Sequence, residues 1–484
     1  MRRCLIVIVV AACVVAGCGS SSSSSSSPLA KELSYLPSGS PLVMTIVTDP
    51  NSAAIKGVQA LVNRFPLGSA GEAALKSRLQ QSGVNYDGDI RPLLGNPVAL
   101  SVNEVASSAP SSTQTLLVWV TNDADKLKSL VQKAMPGSKS TGTRDGATMY
   151  QANGGGDVVA IDGATAVIGN SAAVVTSALD RHAHGGGIGD AAYSHALSGL
   201  PGDGVVNAFG DLTGLLSQPS AAKARQVPWV AALKGYAETV TASSTGLWIN
   251  YHVDTTGRPL TAAQLPFAQG MAAPTLAGNG PVTVGIHNPA QIASFIESAA
   301  QATDPGGYVG FLKRQAVVRA RTGVDLNSLI KLMTGDLMFA YAPGSEIARL
   351  TLSDPAAAND ILSKLSRAPR STLRGGQLKR VGNHFELVND TGSAIPVTIV
   401  GNQLVLGKAT LGQLRAFAAA PVTQASWAHG TVAFRVRIAE LLPLLVHSSE
   451  TQVLQSILSQ LTDLTGSSSV SPSGITGSAT LGVR

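Results

Sequence analysis

Residues 83–96 read GVNYDGDIRPLLGN, and an apolar, strand-like run follows them. Further along the chain, residues 323–336 read GVDLNSLIKLMTGD, again with an apolar run behind them. Both glycines, the valine and the isoleucine recur at the same spacing, at an offset of 240 residues. One match of this kind can arise by chance, so it predicts an internal duplication only if other matches follow in the same order.

Other matches do follow in that order, and each pairs one segment of the first half with one of the second half. The pairs are Asp49-Pro50 with Asn288-Pro289, Asp123 with Asp354 (both at helix starts), 159–169 with 397–407 (hairpins), and 247–253 with 478–483 (last strands). Helical spacing then predicts which side chains of the first helix in each half are buried. These are Ala54, Ile55, Val58, Leu61 and Val62 in the first half, and Ile292, Phe295, Ile296 and Ala299 in the second.

One pair of segments does not match in phase. The strand after the second glycine places Val98 and Leu100 on one face, whereas the second half favours Leu337 and Phe339, one position out of step. A shift of one residue turns every side chain of a strand to the other face. A β-bulge or a misalignment would each explain the difference.

The duplication defines the expected fold and domains of the 484-residue chain. In each half the predicted order is strand, helix, helix, strand, strand, helix, three short strands, helix, strand, helix, strand. Adjacent strands with tight turns favour an α+β class: two tandem diverged copies of one domain, each a mostly antiparallel or mixed sheet covered by helices. The expected divisions are a signal peptide (1–17), an acylated, Ser-rich tether (18–34), copy one (35–257), a linker (258–280) and copy two (281–484).

The first 18 residues predict where the protein is located. Arg2 and Arg3 precede an almost wholly apolar run from residue 4 to residue 15, which is too short to span a bilayer as a helix. The run ends in Val15-Ala16-Gly17-Cys18, which resembles the lipobox of bacterial lipoproteins. The resemblance implies cleavage before Cys18 and attachment of lipid to its thiol. The alternative is an ordinary signal peptide in which the cysteine occurs by chance.

The cysteine count excludes two kinds of chemistry. The chain has three cysteines, Cys4, Cys13 and Cys18. Two of them lie within the predicted signal peptide and the third is the predicted lipid attachment site. A folded region without cysteine contains no disulfide, no cysteine nucleophile and no thiolate metal site.

Short motifs in the first half resemble a known family. Leu36-Pro37, Phe65-Pro66 and the segment DIRPLLG at 89–95 resemble a bacterial envelope family known only as domain of unknown function 3352. The motifs lie at the ends of predicted strands and helices, where they form turns. The family has no assigned activity, so the resemblance implies no catalytic residue.

Composition argues against nucleic-acid binding. Charged residues make up 13% of the chain, aromatic residues 4%, and the formal net charge is +6. This mild excess, spread over a large surface, is not the concentrated basic patch of a nucleic-acid-binding protein. Scarce aromatic residues likewise argue against platforms on which bases stack.

Catalytic and metal-binding motifs are mostly missing. The sequence contains no Gly-x-Ser-x-Gly elbow and no P-loop, and its two Ser-x-x-Lys segments, 220–223 and 328–331, lack the partner motifs of penicillin-recognising enzymes. His182 and His184 could bind a transition metal with the nearby Asp180 or Asp190, but the pattern favours a solvated, mobile loop beside Gly185-Gly186-Gly187. The alternating Asn85, Asp87 and Asp89 lack the later ligands of a calcium loop, which favours a capping turn.

We therefore expect a non-enzymatic binding or scaffold module with no cofactor and no metal. It would be lipid-anchored at Cys18 on the extracytoplasmic face of the cell membrane. Its partners would be that membrane and an unknown envelope ligand or protein. Two alternatives remain open: a carrier of a lipid or other apolar ligand, and an envelope hydrolase whose polar residues meet only in the fold.

Overall fold

Twenty antiparallel strands form one continuous sheet in the part of the chain that the structure describes. The structure is a computed structural model, which describes residues 27–65, 68–104, 113–152, 156–277, 280–369, 376–389, 392–425, 427–445 and 457–484. Helices lie between the strands along this whole length. The expected α+β class with a mostly antiparallel sheet is therefore confirmed.

The first half contributes ten strands to the sheet. They are β1 (Leu42–Ile46), β2 (Val98–Glu104), β3 (Gln114–Val120), β4 (Lys139–Arg144), β5 (Ala147–Gln151), β6 (Val158–Asp162), β7 (Thr165–Gly169), β8 (Val206–Asp211), β9 (Leu233–Ser243) and β10 (Gly246–Thr255). The helices of this half are α1 (Pro28–Tyr35), α2 (Ala53–Val62), α3 (Gly68–Gln81), α4 (Ala124–Ala134), α5 (Ala172–His184), α6 (Asp190–Ala196), α7 (Leu212–Ser217) and α8 (Pro228–Ala232).

The second half contributes the other ten strands and a small separate pair. The pair is β11 (Thr275–Ala277) with β19 (Val422–Gln424). The sheet strands are β12 (Val282–His287), β13 (Asp336–Ala342), β14 (Ser345–Thr351), β15 (Gly376–Val381), β16 (His384–Asn389), β17 (Ala394–Val400), β18 (Gln403–Lys408), β20 (Val432–Arg437), β21 (Leu461–Ser471) and β22 (Gly474–Val483). The helices are α9 (Ala290–Thr303), α10 (Pro305–Thr322), α11 (Leu326–Lys331), α12 (Pro355–Ser366), α13 (Leu411–Ala419) and α14 (Ile438–Leu445).

The hydrogen-bonded order of the strands is the same in both halves. In the first half it runs β4-β5-β6-β7-β3-β2-β1-β8-β9-β10. In the second it runs β15-β16-β17-β18-β14-β13-β12-β20-β21-β22. Each half therefore ends in a long hairpin whose outer strand lies at one edge of its ten strands.

The halves join where these two outer strands pair with each other. β10 and β22 run antiparallel from Gly246 opposite Gly482 to Asp254 opposite Gly474. Paired residues can be followed from strand to strand, from β1 to β10 in the first half and from β12 to β22 in the second. Asn250 and Ser478 then occupy equivalent positions in their halves. Those two residues also pair with each other, so a local twofold axis passes between them.

The structure corrects the predicted order of the sheet strands in two places. Each half has four short strands where three were predicted, namely β4–β7 and β15–β18. The long strands β9 and β21, the inner strands of the joining hairpins, were not predicted. They carry many Ser, Thr, Ala and Gly residues, so they lack the alternation of apolar side chains that marks a half-buried strand.

The strand register explains the segment that did not match in phase. Leu100 pairs with Met44 of β1, and Phe339 pairs with Val284 of β12, at the corresponding rung. The connection from the second glycine of the motif to this rung is one residue shorter in the second half. Leu337 and Phe339 therefore occupy the face of Val98 and Leu100, and the two strands are in phase.

The first glycine of the repeated segment has the same conformational role in both halves. Gly83 follows helix α3 with φ of 80°, and Gly323 caps helix α10 with φ of 72°. This left-handed region terminates helices and strains residues that carry a Cβ atom. The segment is thus a helix terminator placed before an apolar strand.

Buried side chains fill both faces of the sheet. On the first face, helices α3 and α4 pack on one half and α12 on the other, around the clusters that contain Leu117 and Leu350. On the second face, α1, α5 and α6 pack on the first half, and α13 packs on the second around Phe417. Between these covered regions lies the second face of the joining strands β9, β10, β21 and β22.

Two segments outside the expected domain boundaries are packed into the fold. Helix α1 includes residues 28–34, which the sequence analysis assigned to the tether, and it buries Leu33, Tyr35 and Leu36 completely. The expected linker, 258–280, buries Leu265 and Leu276 and forms strand β11. Thr275 in this segment donates from its backbone N–H and its hydroxyl to Asp336, which also contacts His287 Nδ1 at 2.8 Å.

Candidate functional site

A cleft of about 830 Å³ lies over the junction of the two halves, on the second face of the sheet. One wall is the end of helix α6 with the loop that follows, from His195 to Pro201. Met271 and His429 from the second half line the opposite side. The floor is formed by the joining strands, so the cleft contains residues from both halves.

The floor is built from short polar side chains. Because alternate residues of a strand share a face, Asn250 and His252 of β10 lie beside Ser478 and Thr476 of β22, their respective partners. Ser467 of β21 continues the row beyond Ser478. Side chains of this kind offer both donors and acceptors to a ligand.

Hydrogen bonds on the floor and beneath it hold the central strands in place. On the floor, the hydroxyls of Ser469 and Thr476 lie 2.8 Å apart across β21 and β22. Beneath it, on the first face of the sheet, the Tyr251 hydroxyl contacts the Ser468 hydroxyl at 2.6 Å. A Cβ atom at Gly477 would lie 2.5 Å from the Tyr251 hydroxyl, so only glycine lets this side chain cross strand β22.

Three imidazoles and one carboxylate give the cleft its titratable groups. His252 Nε2 lies 3.5 Å from Asp254 Oδ2, two residues along the same strand. His195 and His429 belong to opposite sides of the cleft. The Ser467 hydroxyl accepts a hydrogen bond from the backbone N–H of His429 at 3.0 Å, which fixes that side of the cleft to the floor.

The described side chains of the cleft do not form a metal-binding cluster. Within the described ranges, no group of three or more His, Cys, Asp or Glu side chains is arranged to hold a metal ion. Among the hydrogen bonds of the described residues, none joins a serine hydroxyl of the cleft to a cleft imidazole. What the arrangement does offer is a wide, polar, weakly charged surface for binding.

The residues singled out by sequence do not line this cleft. Cys18, the predicted lipid attachment site, lies outside the described residues. His182 lies in the last turn of α5, where its ring stacks on Tyr35 at 4.1 Å and its Nδ1 contacts the Ser34 hydroxyl at 2.6 Å. His184 is exposed and contacts a backbone carbonyl of its own helix, so His182 belongs to the contact between α5 and α1, whereas His184 lies at the solvated end of α5.

The residues of the acidic turn at Asn85 form hydrogen bonds with one another. Asn85 accepts a hydrogen bond from the Gly88 N–H, and Asp89 accepts one from the Asn85 N–H, both at 2.8 Å. Lys133 lies 2.6 Å from Asp89, and this contact lowers the pKa of the Asp89 carboxyl. These contacts are those of the capping turn that the sequence favoured.

Sequence reasoning missed the side chains that do line the cleft. The alternation His252-x-Asp254 in an apolar strand was a usable signal, because it places an imidazole and a carboxylate on one face. His195 and His429 gave no such signal, since nothing in the sequence brings them together.

A buried carboxyl lies outside the cleft, at the contact between α1 and the sheet. Glu32 is fully buried, and its Oε1 accepts a hydrogen bond from the Val120 N–H at 3.0 Å. Its Oε2 has no partner among the described residues. Burial raises the pKa of the Glu32 carboxyl well above its usual value, which favours the neutral form.

Comparison with solved structures finds only distant likeness. The structure described as "Structure of crystal form III of TP0453" has a TM-score of 0.28 and 13% identity, and the match covers 48% of this chain and 82% of that one. For "Structure of crystal form IV of TP0453" the TM-score is 0.27 and the identity 13%, with 46% and 80% covered. Likeness at this level carries no inference about function.

Three further findings concern curated relatives, membrane-spanning helices and the family of the chain. No curated protein matches the chain. Among the described helices, none combines the length and the apolar character needed to cross a bilayer. The family described as "Protein of unknown function (DUF3352)" matches residues 3–373, which is more than half of the chain. The resemblance seen in the sequence is thereby confirmed, and the chain belongs to the DUF3352 family.

Proposed function

We propose that this protein is a non-enzymatic, lipid-anchored envelope lipoprotein that binds a polar ligand in the cleft between its two halves. The observation that carries the proposal is the cleft itself, whose floor of Asn, His, Ser and Thr side chains crosses the junction. The anchor is Cys18, at the end of the lipobox-like segment. Two acyl chains would hold such a protein stably at the membrane.

The proposal includes an internal duplication, with 35–257 and 281–484 as tandem diverged copies joined by 258–280. Its support is the identical order of ten strands in each half and the pairing of Asn250 with Ser478 at the local twofold axis. On this view the cleft formed when two equivalent edge strands paired. Neither copy alone has the whole floor, so ligand binding requires both.

The chemistry of the cleft favours an uncharged or weakly charged ligand rich in hydroxyl or amide groups. Its large apolar side chains are few, namely Leu200, Pro201 and Met271. An apolar ligand would cover the polar side chains of the floor, Asn250, His252 and Ser478, without offering them hydrogen-bond partners, which disfavours a carrier of apolar ligands. The polar floor instead satisfies the donors and acceptors of a polar ligand, which would otherwise be costly to bury.

A matched pair of histidines allows a direct test. His252 is 14% exposed and lies 3.5 Å from Asp254. His384 on strand β16 is 15% exposed and lies 3.6 Å from Glu386, in the same two-residue arrangement outside the cleft. Substituting either histidine by alanine removes the same group from the same local geometry.

The experiment screens neutral sugars, amino sugars and short peptide fragments by thermal shift, followed by calorimetry on the hits. We expect His252→Ala to weaken binding of a hit about tenfold or more, the cost of one or two hydrogen bonds to a polar ligand. His384→Ala should leave the affinity within about twofold. Hits that bind both variants like the wild type would refute binding in the cleft.

A hydrolase is the second candidate, favoured by the contact of His252 with Asp254 inside the cleft. A carboxylate beside an imidazole can orient it as a general base for water. Turnover of an envelope ester, amide or glycoside that is abolished by His252→Ala and unaffected by His384→Ala would establish this activity. It would also overturn the non-enzymatic proposal.

A further inference from the structure

The helical hairpin α9–α10 exposes an unusual amount of apolar surface. Of the twelve large apolar side chains that are exposed among the described residues, five belong to this hairpin of about thirty residues. They are Ile296, Val309, Phe311, Leu312 and Val317. Helix α9 has no buried side chain, and α10 has only one, Val318.

Helix α2, which has the same place in the first half as α9, does bury apolar side chains. Helix α2 buries Ala54, Ile55, Val58 and Leu61. It lies directly on strand β9, because Gly57 approaches so closely that a Cβ atom would be 2.0 Å from the Ala242 carbonyl oxygen. Helix α9 instead contacts mainly α10, α11 and two short turns near residues 224–226 and 262–264. The second half therefore leaves uncovered an apolar surface of a kind that the first half buries.

One side of α10 faces the protein. Tyr308 donates a hydrogen bond to Glu297 of α9 at 3.0 Å, and Gln315 contacts Asn327 of α11 at 3.5 Å. Val318, which is 5% exposed, follows Gln315 on the same side of the helix. These positions lie seven and three residues apart, which is about two turns and one turn, as expected for one side of a helix.

The other side of α10 combines an apolar stripe with positive charge. Val309, Leu312, Ala316 and Ala320 follow one another at helical spacing and are all exposed. Lys313 and Arg319 flank this stripe, and Arg314 and Arg321 lie on the same helix. Residues 305–322 contain no Asp or Glu. The corresponding helix α3 is mixed in charge, with Lys76 paired to Glu72 and Asp87.

We propose that the α9–α10 hairpin docks on the surface of an anionic lipid bilayer, with α10 lying in the plane of the headgroups. A helix that exposes apolar side chains between basic residues can bind such a surface both by burying apolar area and by attracting anionic headgroups. Each Lys or Arg close to an anionic leaflet adds attraction that falls off within a Debye length. This contact is separate from the proposed cleft and from the proposed anchor.

Charge argues against a second copy of the chain as the occupant. A symmetric interface through this hairpin would bring the basic helix of one copy against the same helix of the other. Lys313 and Arg319 of one copy would then face the same two cations of the other, which opposes that contact. An anionic surface is the complementary partner.

The test measures binding of the unlipidated full chain to vesicles of phosphatidylcholine, with and without phosphatidylglycerol, by co-sedimentation. All variants share the same first 26 residues, so any binding by that segment is common to them. The charge variant is Lys313→Glu with Arg319→Glu. Its control is Lys128→Glu with Lys408→Glu, which makes the same charge change at exposed positions of α4 and β18.

We expect the wild type and the control to bind the anionic vesicles at least tenfold more strongly than the neutral ones. The Lys313→Glu, Arg319→Glu variant should lose that preference at least tenfold, and Val309→Ser with Leu312→Ser should weaken binding while keeping its salt dependence. Circular dichroism checks that each variant is folded.

Equal binding of wild type and charge variant to anionic vesicles would overturn the proposal. So would a wild type that shows no preference for anionic lipid. If Val309→Ser with Leu312→Ser converts an oligomer to a monomer and leaves vesicle binding unchanged, the occupant is a second copy and the proposal is wrong. None of these outcomes depends on ligand binding in the cleft, which His252→Ala tests separately.

Discussion

Replacing Glu32 by Gln should make the fold more stable at neutral pH and should remove part of the pH dependence of its stability. Glu32 lies on helix α1, where it is fully buried against the sheet, and its pKa is raised by that burial. Gln keeps the shape of the side chain and still accepts the hydrogen bond from the Val120 N–H. Unlike Glu, it never has to be buried with a charge or to take up a proton.

The sign and size of the effect follow from proton linkage. Above the usual Glu pKa of 4.5, the unfolded chain releases the Glu32 proton while the folded protein retains it. The free energy of unfolding of the wild type therefore falls, relative to Glu32→Gln, by about 1.4 kcal/mol for each pH unit. The fall continues until the pH reaches the raised pKa of the folded state. Below pH 4.5 both states hold the proton, and the difference between the two proteins is constant.

Urea unfolding of both proteins, repeated between pH 4 and pH 8, measures this difference directly. Asp157→Asn is a useful comparison, because partial burial also raises the pKa of Asp157. It should change the pH profile in the same direction over a narrower range. A difference between wild type and Glu32→Gln that stays constant from pH 4 to pH 8 would show that Glu32 is not buried as a neutral group.

Three other predictions concern the anchor, a close contact and the first helix. Cys18→Ala should lose labelled fatty acid in fed cells, and equal labelling of both proteins would refute the lipid attachment site. Gly57→Ala should destabilise the fold by about 1–3 kcal/mol in urea unfolding, because its methyl group would collide with Ala242. Gly71→Ala, where no atom lies within 4 Å, should instead gain about 0.5–1 kcal/mol, and a similar loss at both sites would contradict this reasoning. A chain that starts at Pro28 should be soluble and fully folded by circular dichroism. A chain that lacks helix α1 should lose cooperative unfolding, since Glu32, Leu33 and Tyr35 of this helix are completely buried.

The sequence alone determined features that depend on neighbouring residues. Helical spacing predicted the buried face of α2, and the structure buries Ala54, Ile55, Val58 and Leu61 on it. The repeated glycines marked helix ends, because the left-handed conformation of Gly83 and of Gly323 is a local property of the backbone. The positions of most strands along the chain followed in the same way, since most of the strands are apolar segments between turns.

Only the tertiary structure decided the features that depend on distant partners. Helix α9 has the same amphipathic spacing as α2, yet Ile296 is 60% exposed, because burial requires a neighbouring surface and not only a pattern. The pairing of β10 with β22 joins strands that lie more than 200 residues apart in the chain. Each strand could pair with many others, so nothing local to β10 or β22 identifies the other as its neighbour. His195, His252 and His429 line one cleft only because that pairing brings the two halves together, so the cleft is a product of the fold and not of any local motif.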